Sequence, residues 1–340
     1  MEKFDVAIVG GGIAGLTLAK FLSEEGINFI LFEEHNTFFK KACGEGIYLK
    51  LGKYNFFDIY ESRKGIEGVI DSTLISTKYG EFELRIPVVM SNKKIVEDEI
   101  ARQVVKNGGR IVMNSRVKKI ERHGNSLVLH PQKILSKIVV GADGVNSVVR
   151  RYMGIQRPHV GMAASGILPE MDKSPDHLYV EFKKSVIRCG YSWFFPKKKE
   201  WNIGIGTFMP RYFKSAFQKF KVRFPEVQEW KVSLLPISKP LKSYGKNTML
   251  VGDAASQIFP ATGNGILSSM ICAKIAADEI SKIAKNDFRE VELSQYEKAW
   301  KKELSKMFAT SSIYYRLVKV ADISEYLFHI LFRAGCRLYG

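Results

Sequence analysis

The fold of this chain is decided by the stretch Asp5-Val-Ala-Ile-Val-Gly10-Gly-Gly12-Ile-Ala-Gly15, in which an apolar strand runs into spaced glycines that open a helix. Gly10 permits the tight strand-to-helix turn, and Gly12 lets the backbone approach a pyrophosphate. Gly15 allows the helix to pack closely on the sheet. The phosphates of a bound dinucleotide would then lie at the N-terminus of this helix. The spacing therefore predicts a dinucleotide-binding turn.

A second apolar strand, Phe29-Ile-Leu-Phe, follows the helix and ends at Glu33. A carboxylate at this place can accept hydrogen bonds from both hydroxyls of an adenosine ribose. Strand, helix, second strand and acid stand in the required order. This order favours a complete βαβ nucleotide-binding unit over a glycine-rich turn without a ligand.

Two later segments decide which dinucleotide is bound. One is a buried strand that ends in Asp143-Gly144, and the other ends in Gly252-Asp253 and is followed by Gly263-Asn-Gly265 at the start of a helix. With the βαβ unit, they resemble the FAD-binding fingerprint of the glutathione-reductase and para-hydroxybenzoate-hydroxylase superfamily. The resemblance implies an α/β, Rossmann-type FAD-binding domain, in which Asp253 bonds the ribitol chain. A helix N-terminus after Gly263 would stabilise negative charge on the reduced flavin.

The middle of the chain narrows the resemblance. The segment Tyr191-Ser-Trp193-Phe-Phe195-Pro looks like the Tyr-x-Trp-x-Phe-Pro hairpin of the geranylgeranyl reductase family, and Cys43-Gly44 looks like that family's Cys-Gly loop. The similarity covers approximately residues 1–290. Lys93 stands where the family usually has arginine, which replaces a forked phosphate contact with a point charge.

The resemblance implies both a reaction and a site. The reaction is the reduction of isolated carbon-carbon double bonds in a polyprenyl chain, with hydride from the reduced flavin. Tyr191, Trp193 and Cys43 would be catalytic: the two aromatic faces could stabilise positive charge by cation-π attraction, and Tyr191 or Cys43 could relay the proton. The implied cofactor-binding residues are Gly10, Gly12, Ile13, Ala14, Gly15, Glu33, Glu34, Cys43, Gly44, Lys93, Val117, Asp143, Gly144, Gly252, Asp253, Gly263, Asn264, Gly265 and Ile266.

Spacing alone leaves the hairpin residues open to two interpretations. Tyr191, Trp193 and Phe195 are two apart and share one face of a strand, which is typical of a core as well as of a pocket. Gly204 and Gly206 on the returning strand leave room for a ligand or for close packing. Cys43 is either a small buried hydrophobic residue or a reactive group beside the flavin.

Composition and pattern predict a discontinuous architecture. The chain has 340 residues, 46% of them hydrophobic, which is enough for about two domains. Its four cysteines form neither a CxxC pair nor a zinc-ligand spacing, so we predict no disulfide framework and no metal site. We predict an FAD-binding domain from residues 1–70, 92–155 and 242–290, an inserted β-rich substrate domain from 71–91 and 156–241, and a helical C-terminal segment, 291–340.

The electron donor and the partners depend on weaker signals. No second GxGxxG unit follows a strand after residue 15, so the expected donor is transiently bound NAD(P)H or a redox protein. The net charge of +17 favours an acidic partner such as reduced ferredoxin, or an anionic lipid surface, unless it only reflects a lysine-rich proteome. The lysines are scattered and no nucleic-acid-binding module is visible, so we expect no nucleic-acid partner.

The sequence also bears on location. It contains no secretory signal and no uninterrupted apolar run of about 18 residues, so we expect a cytoplasmic protein. From Glu297 onward eight Lys or Arg accompany four Asp or Glu among recurring apolar residues. This pattern suits peripheral binding at the inner face of the membrane, or a helix pair that closes the substrate domain.

Three function classes remain at this stage. The first is a flavin-dependent reductase that saturates the geranylgeranyl chain of a membrane lipid or lipid precursor. The second is a flavin monooxygenase or halogenase on the same fold, because a fold does not determine chemistry. The third is a prenyl-binding protein that keeps the fold without a working flavin.

Overall fold

The glycine-rich turn joins the first strand to the first helix. In the computed structural model, which describes residues 1–289, 291–321 and 323–337, strand β1 spans Lys3–Val9, helix α1 spans Ile13–Glu24 and strand β2 spans Phe29–Phe32. The helix begins directly after Gly12. The predicted βαβ unit is therefore present.

The remaining elements follow in chain order. They are β3 (Gly46–Tyr48), β4 (Lys50–Leu51), β5 (Tyr54–Asn55), α2 (Phe56–Tyr60), β6 (Ile66–Ile70), β7 (Thr73–Thr77), β8 (Gly80–Leu84), β9 (Val88–Ser91), α3 (Lys93–Lys106), β10 (Arg110–Val112), β11 (Lys119–His123), β12 (Ser126–His130), β13 (Ile134–Gly141), α4 (Val148–Tyr152), β14 (Val160–Leu168), β15 (Leu178–Phe182), β16 (Gly190–Pro196), β17 (Trp201–Thr207), α5 (Phe213–Arg223), β18 (Trp230–Pro236), β19 (Tyr244–Gly245), β20 (Thr248–Leu250), α6 (Ile266–Ala284), α7 (Ser294–Ala321) and α8 (Glu325–Arg337).

The first layer is an eight-stranded sheet whose parallel strands are ordered β10-β2-β1-β13, with β20 also parallel to β13. Strands β12 and β11 add an antiparallel edge, and β19 pairs with β20. Apolar residues of α1, α3, α6 and α7 form the core on one face of this sheet. Because the strands are parallel, the loops after β1, β2 and β13 meet at one edge, where such sheets bind ligands.

The second layer is a seven-stranded sheet ordered β18-β14-β17-β16-β15-β7-β8. It is antiparallel except where β15 runs parallel to β7, which brings a segment from early in the chain against the later hairpin. Strand β9 instead pairs with β3 and β6 in a small sheet. The predicted fold class, a Rossmann-type domain with a β-rich insertion and C-terminal helices, is confirmed.

Helices α5 and α7 each pack into the core of one of the two layers. The aromatic stripe of α5 packs Phe213 and Phe220 into the core under the seven-stranded sheet. Tyr296 and Trp300 of α7 are fully buried and belong to the core of the FAD-binding layer. The long apolar stretch needed to cross a bilayer is found in none of the helices of the described residues.

Candidate functional site

One cavity of about 1410 Å³ lies between the two layers. Residues at the carboxyl ends of β1, β2 and β13 line it, together with residues of β7, β15 and β16. Its volume exceeds the roughly 300–1,000 Å³ of a pocket for one drug-sized ligand. All of the predicted site residues line this cavity except Gly15 and Gly252. Those that line it are Gly10, Gly12, Ile13, Ala14, Glu33, Glu34, Cys43, Gly44, Lys93, Val117, Asp143, Gly144, Tyr191, Trp193, Asp253, Gly263, Asn264, Gly265 and Ile266.

The three glycines of the turn have the distinct environments that their spacing predicts. Gly10 has φ +105°, a conformation that favours glycine. A Cβ on Gly15 would lie 1.9 Å from the carbonyl oxygen of Gly10, so Gly15 serves close packing. A Cβ on Gly12 would meet nothing within 4 Å. The open space at Gly12, in front of a helix N-terminus, suits a pyrophosphate.

Glu33 directly follows β2, and its carboxylate is held in place. Its Oε2 accepts a hydrogen bond from the backbone N–H of Gly11 at 2.7 Å, and its Oε1 accepts one from the N–H of His35 at 3.0 Å. Oε1 also lies 2.5 Å from Nδ1 of the His35 ring, so the second lone pair of Oε2 is the one left for a ribose hydroxyl. Glu33 is buried beside the turn. Glu34 is more exposed and forms an ion pair with Arg116 at 3.2 Å.

Two acceptor atoms at the cavity show that the residues present fit FAD. Oδ1 of Asp143 and Oδ1 of Asn264 are buried and have no hydrogen-bond partner among the described residues. A buried acceptor without a partner is costly, and the hydroxyls of a ribitol chain could donate to such atoms. Asp253, the predicted ribitol ligand, is paired with the ammonium of Lys41.

Lys93 reaches the cavity but is already neutralised. Its ammonium pairs with Glu97 one helical turn later, and its backbone N–H donates to Oε1 of Glu45 at 2.8 Å. The side chain also lies 4.9 Å from the ring centre of Phe39. Lys93 is therefore a charge-paired ammonium held in the cavity wall.

The hairpin aromatics line the cavity on one face, as the alternation predicts. The ring centres of Tyr191 and Trp193 are 6.1 Å apart, and those of Trp193 and Phe195 are 6.5 Å apart. The hydroxyl of Tyr191 donates to the carbonyl oxygen of Thr262, next to the Gly-Asn-Gly segment. Gly204 serves close packing, because a Cβ there would lie 2.0 Å from Cζ2 of Trp193.

The Cys43 loop is held against the seven-stranded sheet. The backbone N–H of Ala42 donates to Ser233 Oγ at 2.7 Å, and that of Cys43 donates to Ser165 Oγ at 3.1 Å. Burial raises the pKa of the Cys43 thiol, although the nearby Lys93 ammonium acts in the opposite direction. Burial also raises the pKa of Tyr191. Both groups are therefore protonated at neutral pH.

Sequence reasoning missed part of the cavity wall. Leu178, Val180 and Phe182 of β15 face the cavity, whereas Tyr179 and Glu181 do not line it. The alternating pattern of this strand was the available signal. Tyr48 also lines the cavity, and burial raises its pKa; no sequence motif marked it.

Comparison with known proteins narrows the chemistry. A model of the FAD binding domain matches residues 3–48, and a model of the lycopene cyclase protein family matches residues 211–332. A digeranylgeranylglycerophospholipid reductase of Methanocaldococcus jannaschii is 32% identical over 209 residues, which are 56% of this chain and 53% of the relative. The enzyme of the same name from Methanococcus vannielii is 29% identical, over 95% of this chain and 89% of the relative. Over most of its length the chain is similar to reductases of the geranylgeranyl reductase family, and its N-terminal part matches an FAD-binding domain.

Solved structures share the fold of this chain. A geranylgeranyl bacteriochlorophyll reductase-like protein of Thermoplasma acidophilum has a TM-score of 0.79 at 21% identity, over 94% of this chain and 88% of its own. The flavin-dependent brominase Bmp2 has a TM-score of 0.72 at 17% identity, over 99% and 93% of the chains. At such identities the likeness shows the fold alone.

The Glu33 carboxylate gives a test of FAD binding. We expect Glu33→Ala to weaken FAD binding by about 1–3 kcal/mol, the usual cost of losing hydrogen bonds to a charged group. The FAD dissociation constant can be measured by quenching of flavin fluorescence. Glu121→Ala is the matched control, because its carboxylate is also ion-paired and 46% exposed and does not line the cavity. An unchanged constant in Glu33→Ala would remove the proposed ribose contact.

Proposed function

We propose that this chain saturates carbon-carbon double bonds in the geranylgeranyl chains of a membrane glycerophospholipid or of its precursor. The observation that carries the proposal is the meeting of Tyr191, Trp193 and Cys43 with the FAD motifs in one cavity. The names of the relatives support the substrate class. FAD, when bound and reduced, supplies the hydride.

The chain's own residues supply what an isolated alkene still needs. Adding a proton leaves positive charge on a tertiary carbon, and the faces of Tyr191 and Trp193 stabilise that charge by roughly 0.5–2 kcal/mol each. The neutral Cys43 thiol is the proposed proton donor, with Tyr191 as the alternative. The apolar side chains of β15 exclude water from the bound prenyl group. This protects a cationic centre on the prenyl group from attack by water.

Lipid analysis tests the proposed reaction. Purified protein is supplied with FAD, a chemical reductant and a geranylgeranyl glycerophospholipid under anaerobic conditions. We expect the mass of the lipid to rise by two hydrogens for each double bond reduced. Oxygen-dependent hydroxylation or halogenation without saturation would support the monooxygenase or halogenase alternative. Protein that retains no flavin would support a non-catalytic prenyl-binding role.

We further propose that an acidic redox protein of the ferredoxin type supplies the electrons. The net charge of +17 attracts an acidic partner over long range, and exposed charges are screened within about 10 Å at 0.1 M salt. Flavin reduction by reduced ferredoxin should therefore slow as salt rises. Faster reduction by NADH or NADPH at every salt concentration would identify a nicotinamide donor instead.

The outer face of α8 supports a proposed membrane contact. The inner face is buried, with the ring of Phe328 5.1 Å from that of Phe182 in the cavity wall. Four apolar side chains of α8 are at least 37% exposed, and Ile323 just before the helix is 85% exposed. Together with the basic charge of this segment, such a face suits an anionic bilayer. The exposed residues of α8 are Tyr326, Leu327, Ile330 and Leu331.

We expect the double substitution Leu327→Ser and Ile330→Ser to reduce cosedimentation with anionic vesicles, while FAD stays bound. Burial of apolar groups and charge attraction act together in interfacial binding, so both this change and high salt should weaken it. Val222→Ser, an 81% exposed apolar residue on α5, is the matched control. Wild-type sedimentation of the α8 variant would show that this face is not the anchor.

A further inference from the structure

A hydrogen-bonded network in the cavity wall, which includes the cavity-lining Glu45, connects the hairpin to the Cys43 loop. Trp193 Nε1 donates to Asn202 Oδ1 at 3.0 Å. The amide nitrogen of Asn202 donates to the carbonyl oxygen of Cys43 at 2.9 Å and to Oε2 of Glu45 at 3.0 Å. Only one orientation of the amide makes all three bonds, because its nitrogen can only donate. Asn202 is buried and does not line the cavity.

Glu45 is the charged centre of this network. Its carboxylate accepts hydrogen bonds from Lys197 Nζ at 3.1 Å and from the N–H of Lys93 at 2.8 Å, and the side chains of Glu45 and Lys197 are 3% and 2% exposed. Removing one partner of a buried pair leaves the other charge uncompensated. Glu45 also has φ +61°, a strained conformation for a residue other than glycine.

Hydrogen bonds also fix the backbone of Glu45. The carbonyl oxygen of Glu45 accepts from the N–H of Ser91 at 3.1 Å and from its hydroxyl at 2.9 Å. The N–H of Glu45 donates to Cys43 Sγ at 3.3 Å. Hydrogen bonds therefore connect the Cys43 loop, the β16–β17 hairpin and the indole ring of Trp193. Some of the groups that make these bonds, such as Asn202, do not line the cavity.

We propose that Asn202 and Glu45 are positioning residues that fix the Trp193 ring and the Cys43 thiol relative to each other. The proposal rests on the proposed function for its kinetic readout. Asn202 acts through Trp193 and Cys43, and Glu45 acts through Asn202 and through its own N–H to the thiol. A displacement of about 1 Å at reacting groups can cost roughly 100-fold in rate.

Asn202→Asp tests the proposal, because it keeps the shape and the acceptor for Trp193 but removes both N–H donors. Asn247→Asp is the matched control. Asn247 is also buried, its amide donates to the carbonyl oxygen of Lys137 at 2.8 Å, and it does not line the cavity. Alkylation by iodoacetamide is followed in the FAD-loaded protein by peptide mass spectrometry. Cys272, buried in the core, is the internal reference.

We expect Asn202→Asp to raise the alkylation rate of Cys43 about tenfold relative to Cys272, as the loop opens locally. The kcat for prenyl reduction should fall about 100-fold, with KM and the FAD dissociation constant within about twofold of wild type. Asn247→Asp should change none of these. Glu45→Gln keeps the shape of the side chain but removes its charge, and it should also raise the alkylation rate of Cys43. It provides the test if Asn202→Asp does not fold.

Wild-type reactivity of Cys43 in both variants would overturn the proposal. An equal rise at Cys43 and Cys272 would also overturn it, because general destabilisation exposes both thiols. If the wild-type protein reduces no prenyl lipid, the proposed function fails. The alkylation rates still decide whether Asn202 and Glu45 hold the loop.

Discussion

Gly12→Ala is expected to weaken FAD binding by roughly 100-fold, or about 3 kcal/mol, without destabilising the FAD-free protein. A Cβ at this position meets nothing within 4 Å, and the residue has φ −77°, which alanine adopts without strain. The methyl group would instead occupy the space that a pyrophosphate needs at the helix N-terminus. Thermal unfolding of FAD-free protein and fluorescence titration with FAD separate the two effects.

Two other glycines serve as controls for this prediction. Gly68→Ala also enters open space, but Gly68 does not line the cavity, so both stability and FAD binding should stay close to wild type. Gly15→Ala should destabilise the protein even without FAD, because its Cβ would lie 1.9 Å from the Gly10 carbonyl oxygen. Normal FAD affinity in Gly12→Ala would mean that the pyrophosphate does not bind against this turn.

The local features of the site could be predicted from the sequence because each depends on neighbours in the chain. The turn after β1 needs glycine at fixed spacings, and the structure gives Gly10, Gly12 and Gly15 three different environments that match those needs. Alternation along β16 likewise placed Tyr191 and Trp193 on one face. Period and spacing carry this information without any tertiary contact.

The network around Glu45 could not be predicted in this way. Glu45 contacts Asn202 and Lys197, which lie more than 150 residues later. Their approach depends on the contacts of the Cys43 loop with β14, β17 and β18 of the seven-stranded sheet. Nothing in the local sequence distinguishes Lys197 from its exposed neighbour Lys198 in the same lysine run. Only the fold makes Lys197 a buried partner of a carboxylate.

Cys43→Ser is expected to lower kcat for prenyl reduction by about 100-fold or more, the usual range for losing a general acid. The hydroxyl of serine is a much weaker acid than a thiol, while its similar shape preserves the loop. The FAD dissociation constant should not change. Cys189→Ser, which removes a buried thiol that does not line the cavity, is the control and should retain activity. Wild-type turnover in Cys43→Ser would leave Tyr191 as the proton donor.

The pH dependence distinguishes these two donors. The protonated thiol is the active form, and burial raises the pKa of this thiol above its ordinary value. Activity should therefore be constant through neutral pH and fall only at alkaline pH, above the range in which an ordinary thiol loses its proton. The residual activity of Cys43→Ser should lack this alkaline fall, because no thiol titrates there. If the fall persists unchanged in Cys43→Ser, a group other than the thiol titrates there; burial raises the pKa of Tyr191, so a fall due to its phenol would lie at still higher pH.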